Sequence, residues 1–264
     1  MLAAKISMDK ILRQGRLIFA IGITEFGVEN IVCARVGGGQ MPVIPFVPAI
    51  PVLAYIVGAF LAATGISILA NFKSRLAAIL LGAFFFVCAL AIQLPLVIAH
   101  PLDIGIRTTA FETLAICAAA WTLARTLPST GRDFLSTSAA VGKILESGRY
   151  LFAISLVVFG ISHFLVPRFI ASLIPTWIPW PLFWAYFTGA AFVAGGIGIA
   201  VRVLDRWAGA LLGLMFLFWF VFLHTPRIMT PPRSHDPDEW SSAFIAFALC
   251  GACWIVARDP KKDM

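Results

Sequence analysis

Two histidines, His163 and His224, stand near the far ends of apolar runs, and two amides, Asn30 and Gln93, hold the corresponding places earlier in the chain. Imidazoles held near a membrane face can hydrogen-bond a quinone carbonyl, pass a proton, or bind a metal or haem. Two such ligands do not define a metal site, so none is assigned. Three acids (Glu25, Glu29 and Glu112) and Arg107 also fall within or beside the apolar runs. Ionisable groups in such runs are costly and face a bundle interior or a cavity. Glu25 and Glu29, four residues apart, share a helix face. Both are expected to point inward, where one could be protonated or pair with Arg107; this is the chemistry of a proton or cation path. Cys250-Gly-Ala-Cys253 has the CxxC spacing of membrane thiol oxidoreductases. A reactive pair of that kind belongs on the oxidising side, whereas Arg258 and Lys261 follow closely and place this one toward the cytoplasmic end. Small residues packing between helices account for it better.

These residues need a membrane to sit in. The 264 residues are 60% hydrophobic and 12% charged, with a mean hydropathy of +0.93, beyond the ~45–50% apolar share of soluble domains. Several runs approach the ~20 residues of a membrane-crossing helix, and helices satisfy every backbone group without water. Eight spans are expected, near 15–33, 51–70, 75–97, 106–124, 148–166, 181–201, 206–224 and 240–257. Of the 20 lysines and arginines, 15 fall at the termini and in the loops of one side. That places both termini in the cytoplasm and accounts for the basic charge without a nucleic-acid partner. The five cysteines lie in or beside apolar runs and form no disulfide framework. The first apolar run lacks a small-residue cleavage site and reads as a retained helix.

The chain also repeats itself. Gly15-Arg-Leu-Ile-Phe-Ala20 matches Gly148-Arg-Tyr-Leu-Phe-Ala153, and Phe26-Gly27 matches Phe159-Gly160. Further on, Arg75, Gly82 and Pro95 match Arg206, Gly213 and Pro226, and Trp121 matches Trp254. The expected fold is therefore all-α, with two parallel-repeat four-helix bundles over 1–126 and 148–264. Repeats of four spans share one orientation, about an axis along the membrane normal. Residues 127–147 read as a cytoplasmic linker, with a short interfacial helix over Ser138 to Glu146. The alignment pairs Asn30 with His163 and Gln93 with His224, which implies one outward-facing polar pocket per half.

Val36 to Pro51 and Val166 to Pro181 are Pro-rich apolar returns, the second flanked by Trp177, Trp180 and Trp184. Tryptophan prefers the membrane interface, and repeated prolines forbid a regular helix. A short flap over each mouth is expected, or a plain anchoring loop. Thr225 to Glu239 is expected to be an irregular hydrophilic cover for the His224 end. Gly58, Gly65, Gly189 and Gly196 lie at spacings that allow close helix approach.

Gly148-Arg149, Phe159-Gly160-Ile-Ser-His163-Phe, Pro167, Ile174-Pro175-Thr-Trp177-Ile-Pro179, Tyr186, Gly189 and His224-Thr-Pro226 together resemble the DoxX-like family of four-helix membrane proteins. The first half resembles a diverged second copy, with Asn30 and Gln93 in place of the histidines, which puts two equivalent sites in doubt. The resemblance implies a bacterial inner-membrane protein, at most a quinone-linked oxidoreductase subunit, working with a redox partner in a redox or stress-response system. Quinone is the cofactor this favours over haem. His163 and His224 would contact the ligand's polar head, and Trp177 and Tyr186 would line its way in. Two rival readings are a transporter or chaperone-like module for a hydrophobic cargo, coupled through Glu25, Glu29 and Glu112, and a structural subunit without a ligand.

Overall fold

The computed structural model describes residues 2–36, 51–128, 138–230 and 237–258, and every regular element among them is helical. Most of the first return, part of the linker and the middle of the 225–239 segment lie outside these residues. The helices are α1 (Leu2–Val36), α2 (Pro51–Leu69), α3 (Ser74–Ala99), α4 (Ile104–Thr126), α5 (Ala139–Leu165), the short α6 (Pro167–Leu173), α7 (Pro181–Val201), α8 (Asp205–Ile228) and α9 (Pro237–Ala257). Six of them, α2, α3, α5, α7, α8 and α9, are long and apolar enough to cross a membrane. The other two long helices, α1 and α4, are those that carry Glu25, Glu29, Arg107 and Glu112. Val52, Ile56, Val87, Ile98, Phe187 and Leu211 face outward on the rods, an apolar surface that lipid covers and water would not favour.

Successive long helices are neighbours all the way round, and the circle closes where α9 returns onto α1. Helices α4 and α9 also touch across the middle. They are the core: every residue from Ala115 to Ala124 and from Ala248 to Ala257 is buried. Two parallel-repeat four-helix bundles are expected from the sequence, and the contacts join their helices in one closed ring. The opening helix of each half leans on the closing helix of the other, α1 on α9 and α5 on α4. Small residues make both contacts. A Cβ at Gly15 would lie 2.9 Å from Gly251 O, and one at Gly148 would lie 2.7 Å from Ala118 O. Such approach gives dispersion contact along the backbones, which is what drives association in lipid.

At the Gly148 end, arginines hold the helix termini. Arg16 donates through Nε and Nη2 to Ile68 O at 3.1 and 2.7 Å, and Arg149 donates through Nη1 to Ile199 O at 3.1 Å. Arg75 does the same for Ala124 O at 2.7 Å. The last carbonyls of a helix have no donor within its regular ladder, and the arginines supply one; Ile68 O also accepts from Asn71 N at 3.4 Å. Among the described residues the second half adds an acid: Asp205 Oδ2 lies 3.3 Å from Arg149 Nη1, with both side chains almost fully buried. Ser74 opens α3 at the corresponding place. The tight turns also agree, with positive φ at Asn71 and Lys73 in one and at Arg202 and Leu204 in the other.

Helices α3 and α8 each contain a π-turn, Ala89–Gln93 and Trp219–His224, just before Pro95 and Pro226. Proline lacks an amide hydrogen, and its ring clashes with the carbonyl four residues back. One extra residue in the turn relieves that clash, and Phe220 O accepts from both the backbone N–H and the Oγ1 of Thr225, the hydroxyl at 2.8 Å. The expected interfacial helix over 138–146 is not a separate element. It continues into the following span as the 27-residue α5; no proline interrupts it, and Gly148 serves close packing on Ala118 O in place of a turn.

Candidate functional site

The polar residues singled out above gather at the other end of the ring. His163 is in the last turn of α5, buried at 6% exposure. Its Nδ1 lies 2.8 Å from Phe159 O. A carbonyl only accepts, so Nδ1 carries the hydrogen, and in the neutral ring Nε2 presents a lone pair. That Nε2 is buried without a partner. The ring stacks on Trp219 at 5.8 Å and 10° between planes, and meets the edge of Phe192 at 5.3 Å. Gly189 on α7 makes room, since a Cβ there would lie 2.9 Å from His163 Cβ.

Asn30 occupies the matching place on α1 and does the same thing. Its Nδ2 donates to Phe26 O at 2.7 Å, its Oδ1 is buried without a partner, and the residue is 1% exposed. Gly58 of α2 faces Asn30 Cβ as Gly189 faces His163 Cβ. The two halves thus build the same bond from different side chains. Gln93 is buried in the first π-turn, and His224 ends the second.

His224 does not share a partner with His163. Its Nδ1 lies 3.3 Å from Glu239 Oε1, which also accepts from Arg227 Nη1 at 3.4 Å. Arg227 donates further to Leu173 O at 3.1 Å, fastening the end of α6. At its two ends this corrects the expected irregular cover over Thr225 to Glu239, whose middle lies outside the described residues. Residues 225–228 continue the helix, and Glu239 sits in the first turn of α9 with its carboxylate on His224. Pro237-Asp-Glu239 before an apolar run is a helix-start pattern that could have located it. Glu239→Ala removes the acceptor of two cationic or imidazole donors; a loss of about 1.5–3 kcal/mol is expected, measured as unfolding in mixed detergent micelles.

Glu25 and Glu29 do not point inward together. Glu25 belongs to the exposed stripe Ile21, Glu25, Val28 and Val32, whereas Glu29 is buried and accepts from Ser241 Oγ at 2.7 Å. The boundary between lipid face and core runs between them, and α9 supplies the hydroxyl that only the closed ring brings there. Neither acid pairs with Arg107. That side chain is half-buried on α4, with Nε and Nη2 enclosed and unbonded. Glu112 is also half-buried on α4.

Trp177 and Tyr186 lie at the surface of this end. Trp177 meets the edge of Phe222 in the π-turn at 6.0 Å, and Tyr186 stacks on Phe164, the neighbour of His163, at 6.1 Å. Cys250 and Cys253 are free, fully buried thiols of α9, and Gly251 between them lies against the Phe19 backbone. Among the described residues no three metal-capable side chains come together.

A domain of unknown function, DUF8561, matches residues 152–226, a stretch that holds His163, Trp219 and His224 and stops short of Glu239. No curated protein and no solved structure matches the chain.

Proposed function

We propose that the protein spans the bacterial inner membrane eight times, α1 and α4 included, with both termini in the cytoplasm. It binds a quinone or similar lipophile near the outer face, as a subunit of a membrane redox or stress-response system of the kind that the DoxX-like resemblance implies. The 15-to-5 bias of lysine and arginine supports that orientation. A duplicated four-helix unit is supported by the recurrence of the same contacts: the arginine caps on Ile68 and Ile199, the paired π-turns, and the Phe26–Asn30 and Phe159–His163 bonds.

One observation carries the ligand reading. The Nε2 of His163 is shut away from water without a partner, on a ring walled by Trp219 and Phe192. A buried polar atom left unsatisfied costs about 1–3 kcal/mol, and a flat aromatic wall beside it suits a lipophile with a polar head. Coupled transport through Glu25, Glu29 and Glu112 draws less support, because Glu25 faces outward and Glu29 is held by Ser241.

Protein purified from its membrane is expected to carry quinone-type lipid, found by organic extraction and absorbance, and to lose most of it in the His163→Ala/His224→Ala variant. A quinone-free wild type, with variants that behave identically, would overturn the reading.

A further inference from the structure

The doubt over two equivalent sites arises because asparagine and glutamine stand where the second half has histidines. At the first of these positions the geometry removes it. Asn30 and His163 each commit their near donor to the carbonyl four residues back, Phe26 O at 2.7 Å and Phe159 O at 2.8 Å. Each then presents one outer atom, Oδ1 or Nε2, that can only accept, and Asn30 alone keeps a second amide hydrogen on Nδ2. Both atoms are buried without a protein partner, and both residues are more than nine-tenths buried. The side chains differ in kind but agree in hydrogen-bond polarity.

We infer that the chain binds two hydroxyl-headed lipophiles, one per half, each donating its O–H to the lone acceptor of Asn30 or His163. The inference rests on the lipophile reading above and makes it more specific. Of the forms a quinone-type lipid takes, the reduced hydroquinone supplies the donor that both atoms lack, as does a phenol or an aliphatic alcohol; an oxidised quinone carbonyl meets no donor on His163 and only the second amide hydrogen on Asn30. An apolar body follows from the burial, since neither acceptor is reached by water.

The walls differ. His163 has Trp219 stacked on it and Phe192 at its edge. The corresponding residues in the first half are Cys88 and Leu61, both buried. Ring stacking favours an aromatic hydroxyl in the second half, while the first accepts the hydroxyl without that preference. The second half is thus the tighter site for a hydroquinone.

The test uses the full chain in lipid nanodiscs, without oxygen, and four probes: a decyl-tailed hydroquinone, its dimethyl ether, the matching benzoquinone, and decyl alcohol. Two hydroquinones are expected to bind per chain, and the ether and benzoquinone about tenfold more weakly, the equivalent of one hydrogen bond. His163→Phe, which keeps an aromatic ring and removes the acceptor, is expected to abolish the tighter site, and Asn30→Leu the weaker. Because either variant could unfold, the exchanges His163→Asn and Asn30→His serve as controls; each retains an acceptor, and two bound hydroquinones are expected in both. Decyl alcohol binding as well as the hydroquinone would support the hydroxyl rule with an aliphatic lipid as its source.

Equal binding of hydroquinone, ether and benzoquinone would overturn the polarity rule while leaving the lipophile reading intact. So would a stoichiometry of one, or unaltered binding in folded His163→Phe and Asn30→Leu. No binding of any probe would overturn both, and would leave trapped water as the partner of the two acceptors.

Discussion

Arg149→Ala is expected to destabilise the protein by about 3–5 kcal/mol, the cost of removing one member of a buried ion pair. Arg149 and Asp205 are 3% and 5% exposed at the side chain, so neither can exchange its partner for water. Arg149 also satisfies the carbonyl of Ile199 at the end of α7. The first half supplies an internal comparison. Arg16 makes the matching bond to Ile68 O, and the neighbouring position holds the neutral Ser74. Arg16→Ala loses charged hydrogen bonds without stranding an acid, so about 1.5–3 kcal/mol is expected. Replacing the pair together, as Arg149→Met with Asp205→Leu, should recover much of the loss, because no buried charge remains. Unfolding followed by tryptophan fluorescence in mixed micelles reads all four proteins. Equal losses for Arg16→Ala and Arg149→Ala would show that Asp205 adds nothing.

A chain severed within residues 129–137 is expected to give two halves that are not folded alone and are folded together. A pair of separate bundles would behave differently, each half surviving by itself. Here α1 rests on α9 and α5 on α4, so a lone half exposes the faces of its opening and closing helices, including Gly15 and the run Ala115 to Ala124. Faces made of small residues gain their stability from close backbone approach, and that gain vanishes with the partner. Co-expressed halves should purify as one complex with the unfolding midpoint of the intact chain. A first half that is protease-resistant by itself would argue against the interlocked ring.

Much of the candidate site was legible in the residues. The recurrence of Gly-Arg, Phe-Gly, proline and tryptophan aligned Asn30 with His163 and Gln93 with His224, and all four are found near one end of the ring. That alignment works because a helix converts sequence spacing directly into depth. The lateral direction of a side chain was less legible. Four-residue spacing put Glu25 and Glu29 on one face, yet a face about 40° wide can straddle the edge of the core. Which of the two acids is buried depends on where α9 lies. Glu239 was hidden for a related reason: it reads as the end of a polar loop until α9 carries it onto His224.

The sequence by itself determined the helical class and the membrane-length apolar runs. Hydropathy and local breakers specify these without long-range information. Only the tertiary structure decided that the halves exchange closing helices, that His224 is held by Glu239, and that Asn30 and His163 present the same kind of acceptor. The first two depend on which groups neighbouring helices bring together, and the third on the absence of a neighbouring donor within about 3 Å of Asn30 Oδ1 and His163 Nε2, the reach of a hydrogen bond. No spacing along one chain encodes that distance.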